Sequence, residues 1–141
     1  MISICDDNEL DEIAAAINPT YGDYVYNKLS EAEKQIALEK EADKIEQKIK
    51  NGSFVIPLVI EGKTISSEQL AKRLSDVSVQ GVSTVSFIIG SSFGLSGRIK
   101  SRANFSLSMS PMTFPHQLAR IMLLEQTYRA FSIINNSKYH K

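Results

Sequence analysis

The sequence predicts an α/β fold in which helices cover both faces of a mostly parallel sheet. Strand-like and helix-like segments alternate along the chain in the order βαβαβαβαβα. Two capping boxes mark helix starts, and apolar runs of strand length lie between the helices. The chain has 141 residues, of which 43% are apolar, and no linker or internal repeat divides it. We therefore expect a single domain over residues 1–141.

The first half of the chain predicts five elements. The clearest is a helix that begins at a capping box formed by Ser30 and Glu33 and carries apolar residues at helical spacing. It is expected to end at Asn51-Gly52. The other four are a strand at 1–5, a short helix at 8–17, a weakly patterned strand at 23–26 and a nearly continuous apolar strand at 53–60.

The second half predicts a further five elements. A second capping box, Ser66 with Gln69, starts a helix that closes at Gly81. A β-branched strand at 82–89, a helical segment at 96–103, a strand at 105–109 with alternating serines, and a helix at 115–131 follow. The last helix looks buried and carries one apolar stripe of Ile121, Leu124, Tyr128 and Phe131.

Several features of the composition exclude classes of protein. The single cysteine, Cys5, cannot form an internal disulfide, and no apolar run reaches the length of a membrane span. Acidic residues follow Met1 almost at once, which is unlike a signal peptide. His116, His140 and Cys5 are widely spaced, so we expect no metal site. These observations favour a soluble cytoplasmic protein.

Charge is divided unevenly along the chain although the net charge is zero. Residues 1–70 contain 14 acidic and 7 basic residues, whereas residues 71–141 contain 2 acidic and 9 basic residues. A one-sided basic surface is typical of a protein that binds a polyanion such as RNA. The alternative is that the two halves offset each other within the chain or in a dimer. Charge alone leaves both interpretations open.

Three loops follow predicted strands, and in open α/β sheets ligands bind at such loops. They are "LVIEGK" (58–63), "IIGSSFGLS" (88–96) and "MSPMTFPHQ" (109–117). Their glycines would admit a ligand close to the backbone, although glycine after a strand is also ordinary turn chemistry. The sequence contains no GxGxxG, P-loop or GxSxG motif, so neither a nucleotide fingerprint nor a hydrolase elbow is assigned.

Longer stretches carry a more specific signal. "LVIEGKTISSEQLAKRL", "FIIGSSFGLS" and "SLSMSPMTFPHQLARIMLLEQTYRAFSIINNSKYHK" closely resemble the RlmH family of bacterial large-subunit ribosomal RNA methyltransferases, within the SPOUT superfamily. The similarity runs from about residue 29 to the end of the chain. Members of this family methylate N3 of a pseudouridine in 23S rRNA with S-adenosylmethionine. The chain is therefore expected to be such an enzyme.

The resemblance also implies a fold and a set of ligands. It implies a C-terminal trefoil knot, in which the last helix threads back to form the cofactor pocket, and a homodimer whose active site draws on both subunits. It implies S-adenosylmethionine as cofactor and the assembled ribosome with its 23S rRNA as partner. The residues that match cofactor contacts of the family are Leu58, Gly90, Met109, Ser110, Pro111, Met112, Thr113 and Phe114.

The chain's last residues match the family's tail, which is implicated in substrate binding and catalysis. Tyr139 and His140 are therefore the predicted catalytic residues, with His140 as the proton acceptor because a neutral imidazole can accept a proton near pH 7. His116, at a helix start, is interpreted as a capping or packing group. The basic residues predicted to contact RNA phosphates are Arg98, Lys100, Arg102, Arg120, Arg129, Lys138 and Lys141.

Three features depart from the family pattern. The region before Leu29-Ser30 is about 18 residues shorter than is usual, Ser91 stands where a second glycine is usual, and Pro111 removes an amide donor from the predicted cofactor loop. These departures leave a second hypothesis open. The chain would then be a SPOUT-like module that binds RNA or a nucleotide with weak or no methyltransferase activity.

Overall fold

The computed structural model describes residues 1–6, 30–91 and 93–140. The predicted helix at 8–17 and strand at 23–26 lie outside these residues, as does Lys141. The elements are β1 (Ile2–Asp6), α1 (Glu31–Lys48), β2 (Phe54–Lys63), α2 (Ser67–Val79), β3 (Val85–Ile89), α3 (Gly97–Lys100) and α4 (His116–Ile134).

The three strands of the described residues form one parallel sheet in the order β1-β3-β2. β3 is central, and its last residue, Ile89, lies opposite Asp6 of β1 and Leu58 of β2. All five residues of β3 are buried, as expected for a strand paired on both sides and covered on both faces. The predicted parallel sheet is confirmed.

Side chains alternate between the two faces of the sheet, and each face has its own core. Ile56 and Phe87 point to the face covered by α2 and α4, where Leu74 and Leu123 complete the packing. The opposite face, which includes Cys5, is covered by α1 and α3. The prediction of helices on both faces is therefore confirmed.

Both predicted capping boxes are present. Ser30 Oγ accepts a hydrogen bond from the Glu33 amide, and the Glu33 carboxylate accepts one from the Ser30 amide. Ser66 and Gln69 form the same pair at the start of α2. Such a cap contributes about 0.5–2 kcal/mol to helix stability, which explains why these two helix starts were predictable from local sequence.

The predicted strand at 105–109 is wrong as a continuous element. Within this segment only Leu107 forms bridges, one with Leu58 and one with Lys63. The Lys63 amide donates to Ser106 O, and the Ser108 amide donates to Lys63 O, so the segment crosses the end of β2 without a longer ladder. The alternating pattern is nevertheless real, because Leu107 is buried against the core and Phe105 packs on its edge.

The stripe predicted on the last helix exists, but it does not face the core. Leu123, Thr127 and Ala130 are the buried side of α4, and the small residues among them let the helix pack closely against α2. The predicted stripe is exposed, with exposed fractions of 63% for Ile121, 50% for Leu124, 59% for Tyr128 and 42% for Phe131. In one chain, α4 therefore presents apolar residues to solvent.

Gly62 marks a close approach of two chain segments. A Cβ atom added there would lie 2.7 Å from the carbonyl carbon of Leu107 and 2.9 Å from that of Ser106. A glycine at this position therefore allows the segment before the 109–114 loop to lie against β2.

Replacing this glycine provides a test of the close approach. Gly62→Ala is expected to reduce the free energy of unfolding by about 1–3 kcal/mol, because the added methyl group meets backbone that cannot rotate away. Gly97→Ala is the matched control, since a Cβ there meets no heavy atom within 4 Å and alanine favours the helical turn. Urea denaturation measures both variants, and equal midpoints for the two would contradict the close approach.

Candidate functional site

Parts of the three predicted ligand segments meet where β3 ends. The prediction of a loop at 58–63 is wrong, because these residues continue β2 beyond its pairing with β3. Leu58 lies opposite Ile89, immediately before Gly90, and it also bridges to Leu107, two residues before the third loop. Leu58 is half-buried and packs on the edge of the core. Segments that are far apart in sequence are therefore neighbours at one edge of the sheet, where α/β proteins bind their ligands.

Gly90 occupies a position with no room for a side chain. An added Cβ would clash with the carbonyl group of Gly94 and would lie 2.9 Å from Leu95 Cγ. The Gly94 amide donates to Ser91 O at 2.9 Å, and Gly94 has a φ of 85°, so a tight turn begins at Ser91. Glycine at position 90 is thus required by the fold of its own loop, whatever the loop binds.

His116 lies beside this loop as the first residue of α4. Its Nδ1 is 3.0 Å from Gly90 O, so the tautomer with hydrogen on Nδ1 donates to that carbonyl. Pro115 is the N-cap of the helix and makes no side-chain cap bond. His116 was interpreted as a capping or packing group, and the structure shows that its ring has a hydrogen-bond partner in Gly90 O.

The 109–114 loop holds itself in shape through serine hydroxyls. Ser108 Oγ donates to Ser110 O at 3.1 Å, and Ser110 Oγ accepts from the Met112 amide at 3.0 Å. Met109, Ser110 and Phe114 are half-buried, whereas Pro111, Met112 and Thr113 are exposed. The loop therefore presents backbone and apolar side chains beside the strand ends.

The tail rests on α4 and on the start of α2. The Tyr139 ring packs edge-on against Tyr128, with centroids 4.7 Å apart, and Tyr139 Oη donates to Glu125 at 3.2 Å. His140 Nε2 lies 2.8 Å from a Glu68 oxygen, and its Nδ1 lies 3.4 Å from Arg129. A neutral imidazole with hydrogen on Nε2 satisfies both contacts, because Arg129 can only donate.

Carboxylates around the tail remain ionised. The pKa of Glu68 falls to about 2, because its own backbone amide and then the side chains of His140 and Ser66 hydrogen-bond the charged form. The pKa of Glu125 is lowered chiefly by its hydrogen bonds with Arg129. The two acids therefore hold the tail as hydrogen-bond acceptors at neutral pH.

The structure does not bring the tail to the loops within one chain. Arg129, which contacts His140, lies more than three turns beyond His116, a rise of about 20 Å along α4. Tyr139 and His140 are thus assembled with each other but not with Gly90 or the 109–114 loop.

Most of the predicted RNA-binding cations are already paired with acids. Arg98 lies 2.6 Å from Asp43 and also contacts Glu39 and Glu46 of α1. The remaining pairs join Lys100 to Glu61, Arg102 to Glu46, and Arg129 to Glu125. Arg98, Lys100 and Arg102 therefore offset acids of the first half of the chain, whereas the pair of Arg129 with Glu125 lies within the second half. Arg120 and Lys138 are exposed.

The described residues contain neither a metal-binding cluster nor a membrane-spanning helix. No group of three or more His, Cys, Asp or Glu residues in residues 1–6, 30–91 and 93–140 is arranged to hold a metal ion. Among the same residues, no helix is long and apolar enough to cross a membrane.

Comparisons with known proteins agree with the fold. The family model described as "Predicted SPOUT methyltransferase" matches residues 9–140. Three relatives are each named ribosomal RNA large subunit methyltransferase H. The Finegoldia magna protein is 46% identical over 133 residues, which cover 94% of this chain and 77% of the relative. The Clostridioides difficile protein is 54% identical over 113 residues, 80% of this chain and 71% of the relative. The Streptococcus equi subsp. zooepidemicus protein is 51% identical over 115 residues, 82% of this chain and 72% of the relative.

Proposed function

The chain belongs to the SPOUT methyltransferase family, and on that premise we propose that it methylates large-subunit ribosomal RNA with S-adenosylmethionine. The expected target is N3 of a pseudouridine in 23S rRNA within the assembled ribosome. The observation that carries the proposal is the convergence of Leu58, Gly90 and the 109–114 loop at one edge of the sheet. That edge is where a parallel α/β sheet offers a ligand both backbone groups and apolar walls.

The residues at this edge suit S-adenosylmethionine. Its adenosine and methionine parts need hydrogen-bonding backbone groups and apolar surface, and the half-buried Leu58, Met109 and Phe114 supply such surface. When bound, S-adenosylmethionine supplies an activated methyl group, so the protein has to orient the two reactants and manage one proton.

His140 is the residue proposed to manage that proton. In the tautomer with hydrogen on Nε2, the ring donates to Glu68 and leaves Nδ1 as an acceptor facing Arg129. The contact of Nδ1 with Arg129 is long, at 3.4 Å, and the N3–H of the target base would replace it. Nδ1 would then accept the proton that the base loses as its nitrogen is methylated.

The C-terminal path is compatible with the trefoil knot. After α3, the chain lies against the end of β2 at Leu107 and then contacts the loop after β3 through His116. We propose that this passage is the threaded part of the knot and that it holds the 109–114 loop beside Gly90.

We further propose that two copies of the chain form a homodimer through α4. The exposed stripe of Ile121, Leu124, Tyr128 and Phe131 follows the i, i+3, i+7, i+10 spacing of a helix–helix contact. A dimer would also account for the distance between the tail and the loops, because the tail of one protomer can serve the loops of its partner.

Fewer basic residues are available for RNA contacts than the charge pattern of the sequence suggests, because several are paired with acids. The exposed Arg120 and Lys138 lie on α4 and the tail, near the proposed dimer contact. The cations Arg98, Lys100 and Arg102 would have to exchange acidic partners for phosphates. Recognition of the shaped RNA surface of a ribosome would suit such a protein better than strong binding of free RNA. Because ribosomes occupy the cytoplasm, the proposed substrate assigns the chain to that compartment.

Methyl transfer tests the proposed reaction. With tritiated S-adenosylmethionine and ribosomes that lack the modification, the unchanged chain is expected to label 23S rRNA. His140→Ala is expected to reduce the rate by about a hundredfold or more, since general base catalysis typically contributes that much. Ser137→Ala is the matched control, because it alters an exposed tail residue and leaves both contacts of His140 in place.

Two results would contradict parts of this proposal. Full activity of His140→Ala would exclude His140 as the proton acceptor. An unchanged chain that binds S-adenosylmethionine by calorimetry but labels no ribosomal RNA would instead be a cofactor-binding module, the second hypothesis raised by the sequence.

Sedimentation velocity tests the dimer. Ile121→Lys is expected to convert the dimer to a monomer, because a charge at a buried interface position must lose its hydration. Methyl transfer should fall with it, since the tail can no longer reach the loops of a partner. Val79→Lys is the control, because Val79 is 85% exposed, lies on α2 and is not part of the stripe. A dimer that survives Ile121→Lys unchanged would place the interface elsewhere.

A further inference from the structure

Glu41 makes two hydrogen bonds to the residue after Gly90. The Ser91 amide donates to Glu41 Oε1 at 3.0 Å, and the Ser91 hydroxyl donates to Glu41 Oε2 at 2.8 Å. Both oxygens of the carboxylate are therefore occupied by one residue of the second loop. Bonds of this kind to an ionised carboxylate are stronger than those between neutral groups.

The burial of the Glu41 carboxylate has a cost in folding free energy. Glu41 is only 9% exposed and lies on the core-facing side of α1, next to Ala42 and one turn before Ile45. Burial of a carboxylate costs stability unless hydrogen bonds compensate for lost hydration. An apolar residue would fill the same place at lower cost, so the carboxylate points to a role in holding the loop.

The same peptide group is bonded from the other face of the sheet. The peptide bond between Gly90 and Ser91 presents its carbonyl to His116 of α4 and its amide to Glu41 of α1. This bond is trans, so the two groups point in opposite directions. Rotation of the peptide plane would break both hydrogen bonds. The orientation of the loop is thus set by helices on opposite faces of the sheet.

We propose that Glu41 is a positioning residue that holds the Gly90-Ser91 peptide in the orientation that receives the cofactor. This role rests on the proposed function, because it concerns the loop expected to hold S-adenosylmethionine. Glu41 contacts the loop and not the reacting atoms. Its loss should therefore raise the KM for S-adenosylmethionine, while kcat at saturating cofactor stays nearly unchanged. Without Glu41, part of the binding free energy of the cofactor is used to order the loop.

A double-mutant cycle on Glu41 and Ser91 tests the role. S-adenosylhomocysteine binding is measured by calorimetry for Glu41→Ala, Ser91→Ala and the double variant. Ser91→Ala removes one hydrogen bond and should weaken binding about tenfold, and Glu41→Ala removes both and should weaken it further. The double variant should bind no more weakly than Glu41→Ala, because the two residues act through one contact.

Two further variants separate positioning from a general loss of fold. Glu41→Gln should restore most of the affinity, since an amide can accept from the Ser91 amide and donate to its hydroxyl. Glu46→Ala is the matched control on the same helix, because Glu46 pairs with Arg98 and Arg102, whereas the hydrogen bonds to Ser91 come from Glu41. If Glu41→Ala does not fold, Ser91→Ala and Glu41→Gln still measure the same contact.

The outcomes distinguish this inference from the proposed function. Absence of binding by the unchanged chain would overturn both. If the unchanged chain binds S-adenosylhomocysteine and both Ser91→Ala and Glu41→Ala bind it with the same affinity as the unchanged chain, the positioning role alone is overturned. A kcat that falls as far as kcat/KM in these variants would also overturn it, because the defect would then lie in the reacting complex.

Discussion

The peptide group between Gly90 and Ser91 is the point on which the candidate site depends. It follows β3, the central and fully buried strand, and it is bonded by His116 from one face of the sheet and by Glu41 from the other. Both cores of the protein therefore meet at this peptide. The positions of α1 and α4 relative to the sheet, which the two cores set, are transmitted to the loop expected to hold the cofactor.

The outer side of α4 is the surface on which the proposed homodimer rests. The helix buries small residues such as Ala130 against α2 and leaves larger apolar residues such as Ile121 in solvent. The tail lies on this same helix, about 20 Å along it from the loop contact of His116. A second copy on α4 would bury the apolar stripe and bring a tail within reach of the other copy's loops.

Local signals made much of the fold predictable. The capping boxes at Ser30 and Ser66 depend on residues within one helical turn, and the buried run of β3 depends on composition alone. Long-range partners were not predictable. Leu107 looked like part of a strand because its neighbours alternate, but a ladder requires a continuous partner, and β2 offers it only isolated bridges. The ion pair of Arg98 with Asp43 joins residues distant in sequence, so charge alone left open whether the basic residues form a surface or pair with the acidic half.

The candidate site also contains residues that the sequence predicts and one that it does not. Leu58, Gly90 and the 109–114 loop were predicted through resemblance to a family, whereas Glu41 was missed. A signal for it existed, since it is a carboxylate on the apolar side of an otherwise regular amphipathic helix.

A crystal structure of the chain with S-adenosylhomocysteine tests the central claim most directly. The adenosine is predicted to lie between Leu58, Gly90 and the 109–114 loop, with the Gly90-Ser91 peptide unchanged. Ligand bound elsewhere, for instance in the surface groove beside Lys72 and Arg73, would contradict it.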